Sequence, residues 1–294
     1  MNRIVLENDL LSVEILPERG GKLASIRHRA AGFELLAQPP HGYPPLQPGM
    51  PFHLGDASGF DDVFPSMGPE SSEGIDLPDH GQIWSAPMAA ELSDGRLTLR
   101  RESELPAYSY EKQVWLEDNA VCLRWRIRNP AARPLPAVWI CHCLMRDEEG
   151  LRFEFPPDAL EAVNLIPGSA LGEFGQVHRT DGADYDFSRP PRPDSAVKFR
   201  FRQPVQEGRC AALYPRSGMR AELEFDPAAL PYLSFWMTTG AYRGDRNFAF
   251  EPATAPCDAL GEGLRNGYRA EIPAEEALSL RMSIRLTEIG AIPG

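Results

Sequence analysis

The chain has 294 residues, a hydrophobic content of 43% and a formal net charge of −12 at pH 7. This apolar content is enough for a sizeable core and excludes a disordered protein. The acidic charge argues against nucleic acid and anionic membranes as partners, because both attract basic surfaces. The composition therefore favours a soluble protein that binds an uncharged small molecule.

The five cysteines lack the spacing of a disulfide framework, which favours reduced thiols. No basic segment precedes an apolar one at the start, and no later apolar run is long enough to span a bilayer. We therefore expect a cytoplasmic protein. In a strand, Cys141 and Cys143 would lie on the face opposite His142, so we do not expect these three residues to share a metal ion.

Alternating apolar and polar residues between turn residues predict many short strands. In chain order the predicted strands are 3–16 (two strands), 22–28, 33–36, 84–91, 97–104, 108–116, 121–128, 137–145, 195–202, 210–214, 219–225, 232–238, 246–251, 268–273 and 277–287. Asp94-Gly95 and Asp118-Asn119 predict hairpin turns. The segments 39–51 and 150–194 are predicted to be mainly loop, and no long amphipathic helix is expected.

The segment 59–67 brings adjacent carboxylates and aromatic rings into a region of predicted loops. Asp61 and Asp62 are neighbours and repel each other, so one interpretation is a turn exposed to water. In the other interpretation, one carboxylate accepts hydrogen bonds from ligand hydroxyl groups while Phe60 or Phe64 packs against the ligand. The residues themselves leave both interpretations open.

His80 lies where a loop enters a predicted strand, between Asp79 and Gly81. An imidazole can donate or accept hydrogen bonds near neutral pH, which suits it to holding hydroxyl groups. The neighbouring glycine leaves room for a ligand to approach. The alternative is a histidine that only caps a turn.

Two predicted strands in the middle of the chain differ in the polarity of their two faces. Segment 121–128 has one apolar face and one face with three arginines, as expected for one wall of a sandwich with a solvated outer face. Segment 137–145 is apolar on both faces, which predicts a buried central strand. His142 interrupts it, and burial without a partner would cost about 1–3 kcal/mol. A satisfied core histidine is therefore the ordinary interpretation.

Near the end of the chain, Phe248 and Phe250 share one face of a predicted strand and Glu251 lies on the other. Pro252 lacks a backbone donor and should end regular pairing, leaving Glu251 as the last strand residue. A carboxylate held in this way could act as a base on a bound molecule. The alternative is a solvated glutamate at the rim of a sheet.

Taken together, these segments resemble the aldose 1-epimerase (galactose mutarotase-like) family. The resemblance is carried by 15–26 with its Gly20-Gly21-Lys22, by 59–65, by Asp79-His80-Gly81, by His142 in a mid-chain apolar strand, and by 250–259 around Glu251. It spans nearly the whole chain and is most specific in the last of these segments. It implies one all-β domain over residues 1–294, a large antiparallel β-sandwich with a sugar-binding groove on its concave sheet.

The resemblance also implies a reaction, the interconversion of the α and β anomers of a free aldose by ring opening and closure. Glu251 would be the base that takes the proton of the anomeric hydroxyl, and His142 the acid that protonates the ring oxygen. His80 and Asp61 would bind sugar hydroxyl groups. Glu251 should then be buried with a raised pKa, and a pKa near 6.5 would suit His142. No metal or organic cofactor is needed.

The chain also departs from the family. No arginine near the first histidine and no substrate-binding aspartate can be matched, although an arginine from elsewhere could enter the groove. The arginine candidates are Arg124, Arg243 and Arg246, and the candidates for an apolar sugar platform are Trp84, Trp139 and Trp236. The sugar itself and the oligomeric state cannot be read from the sequence.

Two other functions stay open from the sequence. One is a catalytically silent sugar-binding or regulatory protein, because a fold does not determine a function. The other is a hydrolase or lyase that uses Asp61 or Asp62 together with Glu251, since glycoside hydrolysis uses paired carboxylates.

Overall fold

The computed structural model describes residues 2–72, 74–256, 258–268 and 270–290. In chain order the strands of the first half are β1 (Ile4–Glu7), β2 (Leu11–Leu16), β3 (Lys22–His28), β4 (Phe33–Glu34), β5 (Phe60–Val63), β6 (Glu70–Ser72), β7 (Ile75–Leu77), β8 (Ala89–Ser93), β9 (Arg96–Glu104), β10 (Ala107–Glu117), β11 (Ala120–Arg128) and β12 (Leu135–Pro136). Those of the second half are β13 (Ile140–Cys143), β14 (Met145–Arg146), β15 (Arg152–Glu154), β16 (Glu161–Asn164), β17 (Val177–Arg179), β18 (Ala196–Phe201), β19 (Arg209–Tyr214), β20 (Met219–Phe225), β21 (Tyr232–Thr239), β22 (Arg246–Ala253), β23 (Glu271–Ile272) and β24 (Ala277–Glu288). Single-turn 3-10 helices at Pro17–Arg19 and Phe52–Leu54 and the short helix α1 (Leu260–Arg265) complete the described elements.

The strands form two large antiparallel sheets. The larger has the order β1-β2-β3-β5-β13-β22-β21-β18-β16-β17, with β4 beside β3 and β14 beside β22. The smaller has the order β15-β19-β20-β24-β11-β10-β9-β8. One continuous apolar core lies between them and includes Phe60, Phe248 and Phe250 of the larger sheet and Leu123 and Trp125 of the smaller. This arrangement confirms the predicted β-sandwich.

Many elements lie where the sequence predicts them. The hairpin β8–β9 turns at Asp94 and Gly95, both with positive φ, as a two-residue turn of this composition requires. In β11 the residues of the predicted apolar face are buried, while Arg126 and Arg128 are exposed. This face of the smaller sheet is therefore solvated, as predicted.

The central strands of the larger sheet separate two sets of side chains. In β13, Cys141 and Cys143 belong to the core between the sheets, so His142 points to the outer face. In β5 the register pairs Cys141 with Asp62 and His142 with Asp61. Asp62 therefore faces the core and Asp61 faces outward, which assigns the two neighbouring carboxylates to different environments.

Several local expectations are wrong. The predicted strand 84–91 forms only from Ala89, where β8 begins, because Trp84 and Ser85 lie in a turn. Of the two interpretations left open for 59–67, the solvated turn is wrong, because β5 lies inside the larger sheet between β3 and β13 and is buried throughout. The loop-rich segment 150–194 contains three short strands, β15, β16 and β17. Pro252 does not end β22, since it pairs in register with Leu233 and the strand continues to Ala253. On the other side of β22, the described residues of β13 are in register with it at Ala253 alone, so the missing donor of Pro252 is tolerated there.

The four described cysteines, Cys122, Cys141, Cys143 and Cys210, are buried free thiols, whereas Cys257 lies outside the described residues. Burial raises the pKa of the Cys143 thiol, as it does for Cys141 and Cys210. These thiols are therefore uncharged packing groups at neutral pH. Across the described ranges, no helix has the length and apolar character needed to cross a membrane. A single domain over residues 1–294 stays a prediction.

A buried ion pair between the sheets yields a test of the fold. Lys112 lies 3.1 Å from Asp62 through Nζ and Oδ2, and Trp125 donates to the same carboxylate over 3.0 Å. D62A would leave the Lys112 ammonium buried without its counter-charge, so we expect the free energy of unfolding to fall by about 3–5 kcal/mol in urea titrations at pH 7. The double variant D62L/K112M, which removes both charges, should lose much less. A D62A protein as stable as the native one would contradict this account.

Candidate active site

A cavity of about 490 Å³ opens on the outer face of the larger sheet. Its floor is built from β13, β18, β21 and β22, whose outward-facing residues converge there, and its walls come from loops near 52–57, 67–68, 79–80 and 241–245. Three of the four predicted site residues, His80, His142 and Glu251, line this cavity. His142 and Glu251 are 109 positions apart in the sequence, but they line the same cavity because β13 and β22 are neighbours.

Glu251 lies in the floor of the cavity and is only 3% exposed. Burial raises the pKa of its carboxyl from 4.5 to about 7, an effect that Lys198 opposes and Asp258 increases. The alternation that places Phe248 and Phe250 in the core places Glu251 on the other face. Glu251 is therefore not a solvated rim residue but a carboxyl that gains and loses its proton near neutral pH.

His142 occupies the neighbouring strand and is 6% exposed. Its Nδ1 is buried and has no hydrogen-bond partner. Burial first, and then the nearby His80 and two lysines, lower the pKa of His142 well below 6.5. The ordinary pKa expected from the sequence is thus wrong for this residue, and so is the interpretation as a satisfied core histidine. At pH 7 the ring is neutral and retains an unused polar atom.

His80 is held at the cavity wall by three contacts. Its Nδ1 lies 2.8 Å from Asp79 Oδ1, and its ring stacks on Phe52 with centroids 3.9 Å apart. The ring of His142 lies edge-on at 5.1 Å. When Nδ1 donates to Asp79, Nε2 of the neutral ring is left as an acceptor. Asp79 also accepts from the Phe52 backbone N–H over 2.8 Å, so one carboxylate fixes both rings.

The fourth predicted residue, Asp61, does not line the cavity. It is 2% exposed and its Oδ2 lies 2.7 Å from Lys22 Nζ. Lys22 also pairs with Asp56 at 2.9 Å, and Asp56 pairs with Arg19 at 2.7 Å. Burial raises the pKa of Asp61 to about 6, although Lys22 opposes this. Asp61 therefore lies beside His142 on the outer face but is enclosed in a buried ionic cluster of Arg19, Lys22, Asp56 and Asp61.

The positions of Asp61 and Asp62 argue against the hydrolase or lyase hypothesis, in which one of them would act together with Glu251. Asp62 is in the core between the sheets, bound to Lys112 and Trp125. Asp61 is paired with Lys22 outside the cavity lining. Neither therefore faces Glu251 across a space in which a glycosidic bond could bind, as paired catalytic carboxylates require.

Only some of the other candidates from the sequence, three tryptophans and three arginines, line the cavity. Of the three tryptophans, Trp84 and Trp139 are buried, whereas Trp236 lines the cavity and donates to Asn247 Oδ1 over 3.1 Å. Of the arginines, Arg243 lines the mouth and donates to the carbonyl of His53. Arg246 is paired with Asp147, and Arg124 belongs to the smaller sheet.

Sequence reasoning missed Lys198 and Asp258, which line the cavity beside Glu251. Lys198 Nζ lies 2.7 Å from Asp258 Oδ2. A signal for Lys198 existed, because the chain has only three lysines, Lys22, Lys112 and Lys198. A charged residue used so rarely, in a predicted strand, is a candidate for a special position. Asp258 follows the Glu-Pro segment at a turn, and nothing local marks its side chain.

Comparison with known proteins finds no matching family model and no matching curated protein. Solved structures match along almost the whole chain. The Slr1438 protein of Synechocystis sp. PCC 6803 is 18% identical, with a TM-score of 0.75, over 98% of this chain and 96% of that one. A protein named "putative aldose 1-epimerase" from Escherichia coli K12 is 18% identical, with a TM-score of 0.72, over 98% and 99%. A galactose mutarotase-like protein from Lactobacillus casei ATCC 334 is 16% identical, with a TM-score of 0.70, over 97% and 100%. These similarities show that the chain has the galactose mutarotase-like fold that its sequence predicts.

The buried carboxyl of Glu251 predicts how stability depends on pH. Its folded-state pKa of about 7 lies above the ordinary 4.5, so the folded state binds more protons between these values and the free energy of unfolding falls as pH rises through them. E251Q removes this penalty. We expect E251Q to be more stable than the native protein at pH 8, by on the order of 3 kcal/mol, and equally stable near pH 4. Urea titrations at both pH values measure this, and a variant that is less stable at pH 8 would contradict it.

Proposed function

We propose that this chain, which has the fold of galactose mutarotase-like proteins, is a divergent aldose 1-epimerase that interconverts the α and β anomers of a free sugar. One observation carries the proposal: a carboxyl with a pKa of about 7 and a neutral, unpaired imidazole line the same cavity. Groups with such separated pKa values are typical of acid and base pairs in active sites. The fold similarity supports the same reaction class.

The reaction needs two proton transfers on one ring. Opening removes the proton of the anomeric hydroxyl and adds one to the ring oxygen, and closure on the other face of the carbonyl reverses both transfers. A pair that holds exchangeable groups at both oxygens can catalyse this without a metal or an organic cofactor. Glu251 and His142, which lie on neighbouring strands, are the pair we propose.

The pair must hold one proton in total. If the pair held no proton, His142 would be neutral and could act as an acid only by donating its last N–H proton. If the pair held two protons, Glu251 would already be protonated and could not accept another. Before a sugar binds, the proton lies on Glu251, because Glu251 has the higher pKa. Transfer of that proton to His142 gives the arrangement predicted from the sequence, with Glu251 as base and His142 as acid. Both arrangements carry the same number of protons, so the pKa of proton loss describes the pair as a whole and not one residue of it.

The remaining residues bind and orient the sugar in this proposal. His80, fixed by Asp79, offers Nε2 to a sugar hydroxyl, and Trp236 and Phe52 supply apolar walls. Asp61 acts indirectly, since it neutralises Lys22 beside His142 instead of reaching the cavity. We also propose a cytoplasmic location, which the four described free thiols support because disulfides are rare in that compartment.

A sugar-binding protein without catalysis is the second candidate. The observation that favours it is the low pKa of His142, which leaves no ordinary imidazolium as acid at pH 7. Calorimetry with free aldoses, combined with polarimetry, separates the two functions. Heat of binding without any acceleration of mutarotation would favour the silent protein.

The first test is polarimetry on freshly dissolved α-glucose, α-galactose and a panel of other aldoses. We expect the native protein to accelerate relaxation, and E251Q and H142N to reduce kcat/KM by about 10²–10⁴-fold, because each removes one proton-transfer group. E104Q, a change at an exposed residue of the smaller sheet, is the matched control and should keep full activity. No acceleration across the panel would overturn the proposal.

The second test is the pH dependence of kcat/KM. The pair loses its proton as pH rises through about 7 and gains a second one only below the lowered pKa of His142. We therefore expect kcat/KM to fall above pH 7 and to stay high well below pH 6.5, after subtraction of the spontaneous rate. A rate that rises steadily from pH 6 to pH 9 would show that the one-proton pair is not the active form.

A further inference from the structure

The three lysines of the chain, Lys22, Lys112 and Lys198, share one feature. Each ammonium lies within 3.1 Å of an aspartate: Lys22 near Asp61, Lys112 near Asp62 and Lys198 near Asp258. Lys22 and Lys112 are fully enclosed. Of the three, Lys198 is the one that lines the cavity, with its side chain 16% exposed.

The sheet places Lys198 diagonally from Glu251. The register pairs Lys198 with Trp236 and Glu251 with Ser234, so both charged side chains rise from the same face of three adjacent strands. Lys198 and Glu251 line the main cavity together with Asp258. Asp258 and Glu251 also bound a smaller neighbouring pocket of about 60 Å³. The Lys198–Asp258 ion pair therefore stands beside the carboxyl of Glu251.

Asp258 is anchored to the part of the cavity wall formed by Met67 and Gly68. Its backbone carbonyl accepts from the N–H groups of Met67 at 3.0 Å and Gly68 at 2.8 Å. Its carboxylate is thereby tied to a wall of the cavity and not to the strand of Glu251. An ammonium on a long flexible stem next to a fixed carboxylate is drawn toward that carboxylate. Asp258 thus holds Lys198 and limits its pairing with Glu251.

Charged or titratable groups line the space around Glu251 from every element packed against it. They are His142 from β13, Lys198 and Arg200 from β18, Asp258 and Glu262 from the segment that contains α1, His80 with Asp79 from the wall, and His53, Arg243 and Asp245 from the mouth. After burial, Lys198 and Asp258 have the largest effects on the pKa of Glu251, and the two effects oppose each other. Although burial opposes it, the pKa of Lys198 is raised, because Asp258 and Glu251 both favour its charged form.

We propose that Lys198, whose ammonium is paired with Asp258 beside Glu251, is a positioning residue, so that this ion pair sets the charge that Glu251 carries before a sugar binds. The inference rests on the proposed function only for its catalytic consequence. A lone ammonium beside Glu251 would keep the carboxylate ionised and leave the Glu251–His142 pair without its proton. Asp258 withdraws part of that positive charge and so preserves the one-proton state at neutral pH.

A direct test uses protein labelled with ¹³C at the ε carbon of lysine, which gives three side-chain signals. The Lys198 signal, identified by its loss in K198M, should shift with a midpoint near pH 7 as Glu251 titrates, and this shift should vanish in E251Q. The signals of Lys22 and Lys112 are internal controls for the fold. In D258N the midpoint should move down by about one pH unit, because the freed ammonium then stabilises the Glu251 carboxylate. A Lys198 signal that ignores Glu251 would overturn the inference.

The kinetic test uses the native enzyme, K198M, D258N and the double variant. K198M should move the alkaline fall of kcat/KM up by about one pH unit, and D258N should move it down by a similar amount. The effect of D258N should be smaller in the K198M background, because Asp258 acts partly through the ammonium. Shifts in the same direction, or no shift, would contradict the assignment of Lys198. A native protein with no mutarotase activity but with the NMR midpoints described above would contradict the proposed function and leave this inference standing.

Discussion

The candidate site depends on the two-residue period of the central strands of the larger sheet. In β5, β13 and β22 one set of alternate residues completes the core, and the other set must point to the outer face. Because Cys141 and Phe250 are in the core, His142 and Glu251 are forced outward into the cavity. A slip of one residue in either strand would exchange the core and the site at once. The register of these strands therefore determines both the packing of the core and the geometry of the site.

Burial on this outer face gives the side chains their chemistry. Loops cover the sheet there, and loss of water raises the pKa of Glu251 to about 7 and lowers that of His142 well below 6.5. Both shifts favour the uncharged form, as desolvation must. The two shifts reverse the ordinary order, so that the carboxyl of Glu251 has a higher pKa than the imidazole of His142. In the proposed reaction, such a pair would transfer protons between sugar oxygens without carrying a permanent charge in an enclosed space.

Charge is nevertheless present around the pair and is compensated locally. On the side of His142, Lys22 is shared by Asp56 and Asp61, and Arg19 completes the cluster. On the side of Glu251, Lys198 is held by Asp258. A buried ion pair contributes little net stability, but removal of one partner is costly. These clusters consequently define where charge can lie near Glu251 and His142, and their charged groups are distinct from the pair proposed to transfer protons.

The sequence by itself determined the β-sandwich, most strand positions and three members of the cavity, His80, His142 and Glu251. It could do so because alternation and turn residues are local signals, and because the resemblance located polar residues within apolar strands. Only the tertiary structure decided that Asp61 is enclosed with Lys22 while Lys198 and Asp258 reach the cavity. The same holds for Pro252, which continues a strand because its two neighbours tolerate the missing donor. Burial, ion pairing and pKa depend on which distant strands and loops become neighbours, and no local pattern of residues encodes that.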